Sequence, residues 1–238
     1  MKPWTNVDAD LVVRIKHMVV EGLGAARSLD MALEITRQSL MWADQLIEGF
    51  ESVNPLPNPI ACHLGCSFCC HNEVEVTAPE VFLIGQMIRQ YFPPPRQARL
   101  KEKILFSAAL KSGKSTEELA ATRQARPCPL LEEDKCVVYP WRPLTCRAMH
   151  SLDREHCRTS HAGGDLRSDA YYLHRYIFTL SLATGLTEGF GAVGCQSATL
   201  ELSQALREVL WEPHLGEGWL RGEEVFNHLF SGEPQSQE

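Results

Sequence analysis

Four cysteines and two histidines fall within the ten residues Cys62-His63-Leu64-Gly65-Cys66-Ser67-Phe68-Cys69-Cys70-His71. A thiolate is a soft ligand that suits zinc, iron or an iron–sulfur cluster. The C-x2-C step from Cys66 to Cys69 lets two sulfurs from one turn meet a single ion, and Gly65 permits the bend such a knuckle needs. Cys69 and Cys70 are adjacent, so they do not easily point the same way. Either they serve two ions, or one stands behind the other's ion. A second set follows at Cys128, Cys136, Cys146 and Cys157. Its spacings are weak signals singly. Together the sets supply eight thiols, enough for two four-coordinate sites or one multinuclear site. Ligand type alone does not separate zinc from iron.

The remaining candidates are weaker. Clustered cysteines in a reducing compartment point to ligands or redox chemistry more than to a disulfide framework. Cys195 stands far from the others and reads as a small buried hydrophobe. His63, His71, His150 and His156 lie near cysteines and are either ligands, groups supporting a ligand, or ordinary satisfied histidines. Arg142 and Arg147 flank Cys146. They either offset thiolate charge or form surface ion pairs. Tyr139 and Trp141 are expected to pack under the site and limit its access to water. Gly189-Phe190-Gly191-Ala192-Val193-Gly194 matches G-x-G-x-x-G, but the preceding segment reads as helix rather than strand, so a helix–helix linker is expected there. The sequence contains no P-loop, no G-x-S-x-G elbow and no H-E-x-x-H.

The elements that must position these residues read as mostly α. Apolar periodicity predicts helices over 8–23, closed by Gly22 and Gly24, and over 28–51 with Ser28 as N-cap. Three prolines within 54–59 break the chain and deliver it to Cys62. Residues 73–76 alternate and fit a short strand or an extended connector. Thr77-Ala78-Pro79-Glu80 is a capping box for a helix over about 78–91. Helices over about 96–111 and from Ser115 to about 125 follow. Cys128 and Cys136 fall on the arms of an expected β-hairpin, and Cys146 on a tight turn or single helical turn. Residues 151–164 are polar and read as loop. Helices over about 168–184, 196–211 and 219–230 complete the chain.

The composition, 44% hydrophobic and 22% charged, supports a real core without help from cysteines. A net charge of −7 disfavours general nucleic-acid binding. There is no apolar run long enough to span a bilayer and no signal-peptide core, so a cytoplasmic location is expected.

The ordered combination is more specific than its parts. It runs from Cys62 to His71, through Val76-Thr77-Ala78-Pro79-Glu80 and Cys128-Pro129-Leu130 to Cys136-Val137-Val138-Tyr139, and ends at Arg142-Pro143-Leu144-Thr145-Cys146-Arg147. It resembles a bacterial cysteine-cluster family described as a zinc- or iron-chelating domain (YkgJ-type, CxxCxxCC). The resemblance covers about residues 60–160. The family's name implies two residues between the first cysteines, whereas three separate Cys62 from Cys66. Cys62, Cys66, Cys69, Cys70, Cys128, Cys136, Cys146 and Cys157 match the family's cysteines. The resemblance implies metal binding and little more. Some relatives, such as a flagellin lysine methylase, join this kind of domain to protein modification, but no separate methyltransferase domain is visible here.

The resulting expectation is a single helical domain with a small β-hairpin and a cysteine-lined metal site. An N-terminal helical segment (1–55) packs on a cysteine core (56–165), followed by C-terminal helices (166–231) and a disordered tail (232–238). The expected function is chelation of zinc or iron, with an iron–sulfur cluster as one form. The alternatives are an iron or iron–sulfur dependent enzyme acting on a peptide, protein or small molecule, and a thiol redox sensor using Cys69 and Cys70. The expected partner is a metal ion, with a protein or peptide partner left open.

Overall fold

The first two helices begin where capping chemistry places them. Asp8 accepts from the Leu11 amide at 3.0 Å and starts α1 (Ala9–Ala25). Ser28 accepts from the Met31 amide at 3.2 Å and starts α2 (Leu29–Val53). The structure is a computed structural model and describes residues 6–163 and 171–226. The expected tail, the helical segments at 168–170 and 227–230 and the boundary at 165 lie outside the described residues.

Ten α-helices and two small sheets make up the described part. The chain continues through β1 (Glu75–Val76), α3 (Ala78–Tyr91), α4 (Pro94–Lys111) and α5 (Thr116–Ala121). It then forms β2 (Leu131–Glu132), β3 (Lys135–Cys136), α6 (Leu144–Ala148) and α7 (Arg154–His161). It ends with α8 (Leu173–Ala192), β4 (Leu200–Glu201), α9 (Leu202–Trp211) and α10 (Leu215–Leu220). One hydrophobic core draws on the long helices, with Ile15, Ile84, Leu186 and Trp219 fully enclosed. No described helix is long and apolar enough to cross a membrane.

Three differences from the expected elements have physical causes. Gly22 and Gly24 lie inside α1, which runs on to Ala25. Gly189 and Gly191 are not in a linker but in the last turns of α8. Gly189 and Gly185 let α1 approach α8 closely: a Cβ at Gly185 would stand 2.6 Å from the Ile15 Cβ, and one at Gly189 would stand 2.7 Å from the Val19 Cβ. The segment 151–164 is not loop throughout, because Asp153 caps α7 by accepting from Glu155 and His156. Its polar composition hid the helix.

β1 pairs antiparallel with β4, Glu75 opposite Glu201, which the sequence did not signal. A buried charge network backs this pairing. Lys111 on α4 reaches Glu201 at 2.7 Å and Glu73 at 3.1 Å, and Arg126 reaches Glu73 at 2.7 Å. The last expected helix is short: α10 ends at Leu220, and residues 223–226 carry no helix.

Candidate metal centre

The prolines after α2 leave residues 55–62 without regular structure, and hydrogen bonds to Tyr172 and Ser151 pin this segment. The Tyr172 hydroxyl donates to the Asn58 carbonyl at 2.6 Å. Further along, the Ala61 amide donates to the Ser151 carbonyl at 2.8 Å, and the Ser151 amide returns to the Cys62 sulfur at 3.2 Å. Gly65 then adopts φ +88°, the left-handed turn that glycine accepts freely. A single 3₁₀ turn, Phe68–His71, carries Cys69 and Cys70.

The hairpin closes with Glu133 and Asp134 at φ 49° and 58°, both left-handed, which matches the twist of a two-residue hairpin loop. Ser67 donates to Asp134 at 2.6 Å and ties the cysteine turn to this loop. Cys136 lies on β3 opposite Leu131. Cys128 precedes β2 rather than lying on it, and its amide donates to the Cys70 carbonyl at 2.6 Å. Glu80 joins two helix starts. It accepts from the Thr77 amide at 2.8 Å as the capping box of α3, and its other oxygen accepts from the Leu144 amide of α6 at 2.8 Å. This fixes the short helix that carries Cys146.

The eight thiols divide differently from their order in the sequence. Cys62, Cys66, Cys69 and Cys157 line one surface cleft of about 40 Å³, together with Tyr171, His150 and His161. We term these the outer group. Cys70, Cys128, Cys136 and Cys146 are not among the residues lining that cleft, and we term them the inner group. The hydrogen bond to Cys69, then burial, then the charges of Cys69, Cys128 and Cys146 raise the thiol pKa of Cys70. Burial, then Cys128, Cys69 and Cys136 raise that of Cys146, so these sulfurs lie within each other's fields and within that of Cys69. Cys128, Cys136 and Cys146 also pack against the hydrophobic core. All eight thiols are free, as is Cys195, which is buried as a small hydrophobe.

The two groups meet at Cys69, whose field also reaches Cys136 and Cys146. The Cys70 thiol donates to Cys69, which pulls the Cys69 thiol down to about 7 and drives that of Cys70 up. Burial, then its neighbours, pushes Cys62 up to about 11. Burial likewise raises Cys128 to about 12 and raises Cys136, Cys146 and Cys157. Most of these sulfurs are therefore protonated near neutral pH, and neutral thiols have no strong reason to converge on a point. Among the described residues, no three His, Cys, Asp or Glu side chains are arranged to hold a metal ion as they stand. The donor chemistry still fits a soft cation, since each group offers four sulfurs. Metal would have to displace the thiol protons, so binding would strengthen as pH rises.

Several supporting residues depart from expectation. Arg147 is buried and donates to the Pro140 carbonyl at 2.7 Å and the Arg142 carbonyl at 3.1 Å, with Asp44 as its ion partner. It clamps the 140–147 turn to α2 rather than serving the thiols. Arg142 lies over the Tyr139 ring at 4.1 Å, and its charge offsets part of the rise that burial gives the Cys136 thiol. Tyr139 is 55% exposed and does not lie under the site, while Trp141 stacks on Tyr91 at 5.4 Å.

His150 uses both ring nitrogens. Nδ1 lies 2.8 Å from the Ala148 carbonyl, and Nε2 accepts from the Tyr172 amide at 2.5 Å. That leaves no lone pair for an ion. His63 is exposed and bonds to the neighbouring Leu64 carbonyl. His71 Nδ1 lies 3.3 Å from the Arg123 carbonyl, and the His156 Nε2 is buried without a partner among the described residues.

His161 escaped the sequence reading. It lies four residues after Cys157, which on a helix places both on one face. Expecting loop at 151–164 concealed that spacing. Burial and the nearby His71 and Arg123 lower its pKa.

No protein-family model, curated protein or solved structure matches the chain. What can be said of the site comes from the residues that form it.

Proposed function

We propose that this chain is a metal-binding cysteine-cluster protein that chelates zinc or iron through two groups of four thiolates. The observation that supports the reading is that Cys62, Cys66, Cys69 and Cys157 line one cleft while Cys70, beside Cys69, lies in the field of Cys128 and Cys146. On this reading the eight thiols fall into two foursomes, each joining residues from both sequence clusters. Four sulfurs are what a structural zinc site or an iron–sulfur cluster takes. The resemblance to the zinc- or iron-chelating cysteine-cluster family supports the same reading through the same eight residues.

The roles of the protein groups follow from their surroundings. The Ser151 amide orients the Cys62 sulfur. Glu80 and Thr145 hold α6, the latter by donating to the Glu75 carbonyl at 2.8 Å, and so hold Cys146. Burial raises the Cys128 thiol, and Lys111 offsets a part of that rise, opposed by Glu201. Bound cation would neutralise the charge that ionised sulfurs bring into the core edge.

A second reading, an iron or iron–sulfur dependent enzyme, is favoured by one observation: the outer group lies in an open cleft with Tyr171 and His161 beside it. An enzyme needs such access.

The test is anaerobic purification followed by metal analysis and a visible spectrum. Zinc or iron at up to two centres per chain is the expected result, reduced in Cys66→Ser and in Cys146→Ser. A chain that holds neither metal, or loses none on these changes, would sink the proposal. Substrate turnover lost with the outer group alone would favour the enzyme.

A further inference from the structure

The imidazole of His161 has a position that the thiols do not explain. It lines the same cleft as Cys62, Cys66, Cys69 and Cys157. Its Nδ1 is buried and has no hydrogen-bond partner among the described residues. Such an orphaned atom needs a reason, because nearly all buried polar groups are satisfied. The ring itself is well placed rather than loose. His71 meets it edge-on with centroids 4.5 Å apart, and Phe68 packs against it at 5.6 Å. Cys157 and His161 are one turn apart on α7, so their side chains project from the same face of the helix.

We propose that His161 is a metal ligand of the outer group, through Nδ1. This rests on the metal-binding reading and adds a donor that neither the sequence pattern nor the family resemblance assigns. It makes the two groups chemically unlike. The inner group offers sulfur alone. The outer group offers four sulfurs and one nitrogen, one donor more than a tetrahedral ion uses. One ligand can then leave the outer ion without emptying the site, which is what an exchangeable or substrate-accessible ion requires. The other neighbouring histidines do not compete. His150 is committed at both nitrogens, and His156 and His71 do not line the cleft.

Cadmium is a suitable probe, since its NMR frequency shifts strongly when nitrogen replaces sulfur and each bound ion gives its own signal. The reduced full-length chain is loaded anaerobically with cadmium. Two signals are expected, one for an all-sulfur ion and one shifted as for a mixed sulfur–nitrogen ion. In His161→Ala the mixed signal moves to the all-sulfur region or disappears, while the inner signal stays and reports an intact fold. His161→Gln serves the same purpose should the alanine variant fold poorly. An outer signal unmoved in both variants overturns the ligand assignment and leaves metal binding standing. Absence of any cadmium signal from the wild-type chain overturns both.

Discussion

Cys69 lines a solvent-open cleft, whereas Cys70, one residue on, lies in the field of Cys128 and Cys146, which with Cys136 pack against the hydrophobic core. The outer group gathers its residues from an irregular loop and a short polar helix. The inner group is braced by a hairpin, by a helix tied to buried Glu80, and by the Lys111 network. Thiols are thus placed in one setting braced by regular elements and in another carried by irregular chain and a short helix. On the proposed metal-binding reading, that difference would separate a structural ion from an exchangeable one.

The comparison fails or sharpens on four measurements. The largest effect is expected from Cys146→Ser against Cys66→Ser. The inner change should remove an ion that braces the core edge and lower stability by more than about 3 kcal/mol, as loss of a structural metal does. The outer change should lose metal with a cost nearer about 1 kcal/mol. Metal analysis paired with chemical denaturation reads both, and equal costs would erase the distinction.

Next comes Glu80→Ala. It strands the buried Thr77 and Leu144 amides, at a cost of about 2–4 kcal/mol, and should release metal from the inner group before the outer. Denaturation midpoints together with the rate of zinc transfer to a chelator would show whether the order is reversed.

The third measurement is the pH dependence of the apo protein. Burial lowers the pKa of His150 below its ordinary value, so the folded chain prefers the neutral ring. Stability from this group is present above the unfolded value of 6.5 and is lost as pH falls through the folded value. Stability should therefore fall on acidification from neutrality, and His150→Phe should flatten that slope while also losing the Tyr172 bond. A slope unchanged by the substitution would remove His150 as its source.

The smallest effect is expected from Ser67→Ala. It cuts the single hydroxyl that ties the cysteine turn to the hairpin, for about 0.5–1 kcal/mol. Hydrogen exchange at the Asp134 loop would report the loosening, and an unaltered rate would mean that the tie is idle.

Local signals in the sequence served well. The capping box at Thr77–Glu80 foretold a helix over about 78–91, and α3 spans Ala78–Tyr91. Ser28 marked the start of α2 for the same reason. What the sequence hid was non-local or unpatterned. The pairing of Glu75 with Glu201 joins residues far apart in the chain and has no local signature. The residues Arg154–His161 bury no side chain, so no apolar period revealed α7 and its Cys157–His161 face. Glycines at 185 and 189 read as breaks, yet their use is contact between helices. Adjacent cysteines left open whether they serve two ions or one, and which sulfurs come near each depends on how the hairpin and α6 return to the turn.

The peptide bond between Cys69 and Cys70 has a consequence for the order of assembly. Taken from Cys69, Cys157 must close a loop of 88 residues to complete the outer group. Once Cys146 has been fixed beside Cys70, only 11 residues separate Cys157 from an anchored point. By the logarithmic growth of loop entropy, that shortening lowers the closure cost by about 2 kcal/mol. The inner foursome would then template the outer one, and a chain emptied at its outer group would keep the framework on which to refill.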